Sequence, residues 1–136
     1  MAAPLTLRQA EAVVGDWTDV APPDTGWTRV GLPDNWARRW PGHDGVVWYR
    51  VRWEQPDPPL PIGLLLPWTS MASAVWINGV EVHRDPHLEE PLSRAWHTPL
   101  YRRLVPPLLQ PGENTVVVRV SGMAAYQGGM APITIG

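Results

Sequence analysis

The residues best suited to chemistry in this chain are tryptophans and arginines placed in loops. Trp36, Trp40 and Trp96 fall in Pro- and Arg-rich stretches, and loops on a rigid scaffold are where binding residues concentrate. A flat indole stacks on the apolar face of a sugar ring, so this trio nominates a carbohydrate or other small-molecule site. Arg38 and Arg39 lie in the first stretch and Arg94 beside the last Trp. Their guanidinium forks match carboxylate and phosphate geometry. The ligand-binding set read from the sequence is therefore Trp36, Arg38, Arg39, Trp40, Arg94 and Trp96, with Arg102 and Arg103 as a further anion-binding rim. A plainer role is open to the same residues. A half-exposed Trp pins a loop through its indole N–H, and surface Arg stacks on neighbouring Trp faces.

Other chemistries find less. His83, His87 and His97, with Asp85 and Glu89, raise a metal site, but Pro86 and Pro91 interrupt the segment and no regular ligand spacing emerges. No metal ligand and no cofactor is assigned. A structural calcium held by carboxylates and carbonyls stays open, although no acidic cluster nominates itself. For catalysis there is no Cys nucleophile and no nucleophile elbow around Ser70, Ser73, Ser93 or Ser121. A glycosidase needs two carboxylates about 5–10 Å apart across a cleft. Glu89 and Glu90 are adjacent and would point apart if extended. The chain is expected to be non-catalytic.

Composition narrows the setting. With 136 residues the chain fits one domain, spanning residues 1–136. All eleven basic residues are Arg and the net charge is -2, which leaves no basic field for a polyanion, so nucleic acid is not an expected partner. Zero Cys excludes a disulfide scaffold. The longest apolar run, Ile62 to Pro67, falls far short of the roughly 20 residues needed to cross a bilayer. Met1-Ala2-Ala3-Pro4 lacks the basic and apolar regions of a signal peptide. Nine Trp and no Phe mean that Trp must also serve as bulky core, and Trp53 and Trp76 are assigned there.

The elements that must carry these loops read as β. One short helix is predicted near the N-terminus: Thr6-Leu7-Arg8-Gln9 fits a capping box, Leu7, Ala10 and Val14 share a helical face, and Gly15 is a stop signal. From Val46 to Glu54 the pattern alternates, with Val47, Tyr49, Val51 and Trp53 on one face and Trp48, Arg50, Arg52 and Glu54 on the other. Arg50 is expected to pair with Glu54 or Asp34. Trp27 to Leu32 is a shorter strand, and the continuously apolar Ile62 to Leu66 predicts a central strand covered on both sides. Ala74–Ile77 and Val80–His83 flank Asn78-Gly79, a hairpin turn signal. Leu100–Leu104, Thr115–Val120 and a last edge strand, Ile133–Ile135, follow. About eight strands without intervening helices predict an all-β antiparallel sandwich or barrel.

Three stretches carry a family resemblance. They are Leu32-Pro33-Asp34-Asn35-Trp36 followed by Gly45-Val46-Val47-Trp48-Tyr49-Arg50; Ala74 to Val82 around Trp76-Ile77-Asn78-Gly79; and Leu108 to Val120 around Pro111-Gly112-Glu113-Asn114. In this order they resemble the galactose-binding-like jelly roll. Two groups share it: the non-catalytic sugar-binding domain of family 2 glycoside hydrolases, and the extracytoplasmic sensory domains of bacterial membrane histidine kinases. The segments Trp36 to Gly42, Glu90 to Trp96 and Gly128 to Ile133 bring the sequence nearer to the sensory group. That resemblance implies a periplasmic module on a membrane-anchored parent, binding a small molecule, a carbohydrate or a periplasmic protein, with dimerisation open to it. The hydrolase resemblance implies a carbohydrate-binding module. A structural jelly roll that binds nothing is the third reading.

Overall fold

The computed structural model describes residues 5–56, 61–85, 88, 99–123 and 129–136. Two antiparallel sheets face each other. The larger has six strands in the order β3 (Thr28–Gly31), β2 (Gln9–Gly15), β5 (Gly45–Gln55), β10 (Gly112–Gly122), β7 (Ala72–Ile77) and β8 (Val80–Arg84). The smaller has four, in the order β1 (Leu5–Leu7), β12 (Ile133–Ile135), β6 (Ile62–Leu66) and β9 (Leu100–Leu104). A short ribbon, β4 (Asp34–Asn35) with β11 (Gly129–Met130), and one helical turn, α1 (Trp36–Arg39), complete the described elements. This is the all-β sandwich that the alternating patterns predict.

Alternation explains the layering. β5 and β10 pair along their whole lengths, from Gly45 opposite Gly122 to Gln55 opposite Gly112. Val47, Tyr49, Val51 and Trp53 of β5 and Val116, Val118 and Val120 of β10 all enter one core. Leu64 and Leu66 of β6, Leu100 and Leu104 of β9, and Ile133 and Ile135 of β12 meet them from the other sheet. Burying such side chains contributes roughly 1.5–3 kcal/mol each before entropy is counted.

The outer face of the six-stranded sheet has a second, smaller apolar layer. Trp48 is fully buried there, against Val13, Trp17 and Trp76, with the Trp76 ring 5.6 Å away. The connection 16–27 supplies the cover, and the Trp17 carbonyl in it accepts a 2.7 Å hydrogen bond from Arg119 Nη2. Gly15 makes the fit: a Cβ there would stand 2.6 Å from the Asp19 carboxylate and 2.8 Å from the Trp48 indole nitrogen. Trp53 lies in the main core and Trp76 packs half-buried on the outer layer, as assigned.

Several expectations are corrected. The N-terminal helix does not form: Thr6 to Val14 is extended, as β1 and β2. In a strand Ala10 and Ala12 enter the core together, while Val14 of the expected helical face stays 38% exposed. Backbone ladders to β3 and β5 on both sides of β2 outweigh a capping box on a helix too short to stand alone. Ile133–Ile135 is no edge strand but lies between β1 and β6. β6 is central, yet within it only Leu64 and Leu66 are buried, so it is not covered on both sides to the same extent. Twelve strands are present among the described residues, because the pairs at 5–7, 34–35 and 129–130 are too short to show a period.

The Asn78-Gly79 hairpin forms with positive φ at both residues, the geometry of a twist-matched two-residue turn. Ile77 faces Val80 and Trp76 faces Glu81. A register shift then sets Val75 opposite His83, leaving Val82 as the bulged residue.

Candidate functional site

The Leu-Pro-Asp-Asn-Trp segment ends against β5 in a buried polar knot. Trp36 Nε1 donates to the Tyr49 hydroxyl at 3.0 Å, that hydroxyl donates to Asp34 Oδ2 at 2.7 Å, and Arg39 Nε donates to Asp34 Oδ1 at 3.0 Å. Trp36 is 1% and Asp34 4% exposed. Burial, and then the facing Asp34 carboxylate, push the Tyr49 hydroxyl well above the usual tyrosine range, so it stays a neutral donor. The His43 ring packs on Trp36 with centroids 5.4 Å apart. Trp40 is half-buried against the core, with the Arg39 guanidinium 5.9 Å from its ring centre.

The structure thus brings together three of the sequence-selected residues, Trp36, Arg39 and Trp40. Trp36 shows no open ring face to solvent; its indole is spent on the knot. Arg39 and Trp40 form the accessible rim. Arg38 belongs to α1, but its side chain lies outside the described residues, as do Arg94 and Trp96.

A second cluster joins β7 and β8. His83 Nε2 lies 3.1 Å from Asp85 Oδ1, and Asp85 Oδ2 accepts from the Ser73 backbone N–H at 2.7 Å. The cavity beside them, lined also by Leu66, Thr69, Pro99 and Leu100, measures about 40 Å³, room for water rather than a sugar. Of the residues considered for metal, His87, Glu89 and His97 lie outside the described residues. Among the described residues no three His, Asp or Glu side chains converge.

The third arrangement escaped the sequence. On the outer face of β3, β2 and β5, a groove of about 420 Å³ is lined by Gln9, Ala10, Glu11, Arg29, Arg50 and Arg52. Arg50 holds Glu11 through Nε and Nη2, both at 3.1 Å, and lies 4.1 Å over the Trp27 ring. Arg52 Nη1 reaches the same carboxylate at 2.8 Å. The expected partners of Arg50, Glu54 or Asp34, are not the ones found. Strand register sets Glu11 directly opposite Arg50, and reading residues 6–14 as helix hid that pairing.

Hydrogen bonding from Arg50, helped by the charges of Arg50, Arg52 and Arg29, holds the Glu11 carboxyl below its ordinary value of 4.5 despite some desolvation. A carboxylate whose folded pKa is depressed stabilises the fold above its unfolded pKa, and that contribution is lost as pH falls through the folded value. The stability of Glu11→Gln is therefore expected to fall less than that of the wild type below pH 4.5. Because the pair is partly exposed, the difference is about 0.5–1 kcal/mol, read from urea midpoints across that range.

No family model matches this sequence, and no curated protein does. Solved structures do. A β-glucuronidase from an uncultured Clostridium species superposes with a TM-score of 0.74 at 14% identity, covering 98% of this chain and 28% of that enzyme. The Faecalibacterium prausnitzii β-glucuronidase gives 0.71 at 17%, covering 98% and 31%. A Ruminococcus gnavus β-glucuronidase gives 0.74 at 12%, covering 97% and 28%. The likeness is one of fold. The chain spans less than a third of these enzymes' length.

Proposed function

We propose that this domain is a non-catalytic, carbohydrate-binding module of the kind found in family 2 glycoside hydrolases, acting beside a separate catalytic domain. The observation that carries this reading is the coverage: a match over 98% of this chain takes in only 28% of the glucuronidase. Exposed Arg39 and half-buried Trp40 beside the polar knot, and the arginine-lined groove on β3, β2 and β5, add support.

A glycan array probed with the isolated domain tests it. Selective binding to a subset of glycans is expected; no binding, together with no glycan raising the melting temperature, would overturn it. Gene context separates it from the sensory reading that the segments at 36–42, 90–96 and 128–133 suggest, with its periplasmic location and membrane-anchored parent. Transmembrane helices leading to a kinase core beyond Gly136 would replace the hydrolase reading. A catalytic barrel there would support it.

A further inference from the structure

The groove on the outer face of the six-stranded sheet has more positive charge than it uses. Three guanidiniums line it against the single carboxylate of Glu11. Arg50 is committed to Glu11 and to the Trp27 ring, and Trp27 is itself held by its indole N–H on the Pro23 carbonyl at 3.0 Å. Arg52 is shared between Glu11 and, at 3.5 Å, Glu113. Arg29 is different. It is exposed on edge strand β3 opposite Glu11, and among the described residues it makes neither hydrogen bond nor ion pair, while Glu11 bonds Arg50 and Arg52.

The floor beside it is open as well. The next residue of β3 on that face is Gly31, opposite Gln9, and a Cβ at Gly31 would find its nearest neighbour only at 4.0 Å. The groove therefore has a fixed cationic wall (Arg50 and Arg52), a second, uncommitted guanidinium (Arg29), an amide at Gln9 to bond hydroxyls, and space of about 420 Å³, within the size range of small-molecule sites.

We infer that this groove binds the carboxylate of an acidic saccharide, with Arg29 as the principal anion contact and Arg52 assisting. The inference rests on the carbohydrate reading above and adds to it the charge of the ligand and the face that takes it. Guanidinium forks meet carboxylates in two parallel hydrogen bonds, and Arg29, beside an Arg–Glu–Arg cluster that keeps a net positive charge, gives that geometry without stripping an existing pair.

The test is an NMR titration of the 15N-labelled domain at constant ionic strength with sodium D-glucuronate, D-glucose and sodium acetate, following the Trp27 indole and Arg50 Nε signals. Glucuronate is expected to shift both saturably, with glucose and acetate binding at least tenfold more weakly. Arg29→Ala should weaken glucuronate at least tenfold. So should Gly31→Glu, which places a negative charge in the open floor. Unchanged melting temperatures verify that both variants fold. Acetate binding as well as glucuronate would overturn the saccharide assignment. Glucose binding that survives Arg29→Ala would overturn the anionic site and leave the carbohydrate module standing. Absence of any shift would overturn the groove, with the glycan array still deciding the module.

Discussion

Trp36→Ala should lower the free energy of unfolding by about 3–5 kcal/mol, the range for removing a large aromatic from a packed core. The ring is nearly inaccessible and sits in the main core with Val47, Tyr49 and Met130. Its loss opens a cavity there and also removes the indole donor to the Tyr49 hydroxyl. Trp36→Phe separates the two effects. It keeps most of the packing and loses the N–H, so about 1–2 kcal/mol is expected. Urea denaturation of both variants measures them. A Trp36→Ala domain as stable as the wild type would place the ring outside the core and return it to the set of ligand contacts. As the structure stands, any effect of Trp36 on binding must act through folding, whereas Arg39 and Trp40 at the rim can act directly.

Asn114→Ala is the second large effect, about 2–4 kcal/mol, since it strands several buried polar groups at once. Asn114 is completely buried. Its oxygen accepts from the Gln110 N–H at 3.0 Å and from Asn78 Nδ2 at 2.8 Å, and its amide donates to the carbonyls of Gln110 at 2.8 Å and Gly112 at 3.2 Å. Asn78 in turn donates to the Leu108 carbonyl at 2.8 Å and accepts the Thr115 N–H at 2.9 Å. Two asparagine side chains thus bind the hairpin tip to the segment entering β10. Asn114→Asp keeps the shape but sets an oxygen against the two carbonyls, and is expected to be at least as damaging at neutral pH. A urea midpoint unchanged in either variant would show that these bonds contribute nothing net.

The sequence made the long central strands legible because their period is long enough to count: five or more alternating residues in β5 and β10 point the same side chains inward that the structure buries. The two turn motifs were legible for the same local reason, as each needs its own positive φ. What joins them was not. Nothing near Asn78 announces Asn114, because their contact depends on how β7 settles against β10. The N-terminal region failed in the opposite way. Its local signals favour a helix, and only the strand partners on either side, remote in sequence, reverse that choice. The groove inherited the error: with Glu11 on a helix, Arg50 was matched to Glu54 or Asp34 instead of Glu11, and the surplus of Arg29 was hidden. Of the site residues selected from the sequence as ligand contacts, Trp36 lies buried in the core, and indole burial is a tertiary property that a loop context does not reveal.

The placement of β12 bears on how the molecule is made. Its three residues sit between β1 and β6, pairing Leu5 with Ile135 and Leu64 with Ile135. Until Ile133–Ile135 leaves the ribosome, the smaller sheet lacks an inner strand, β1 has no described partner, and Leu64 and Leu66 lack Ile133 and Ile135 beside them. Contacts spanning nearly the entire chain raise the contact order and slow the final step. β12 closes the sandwich, so this domain reaches its native state only once residues 133–135 are in place, and a chain lacking them exposes two unpaired strand edges to its neighbours.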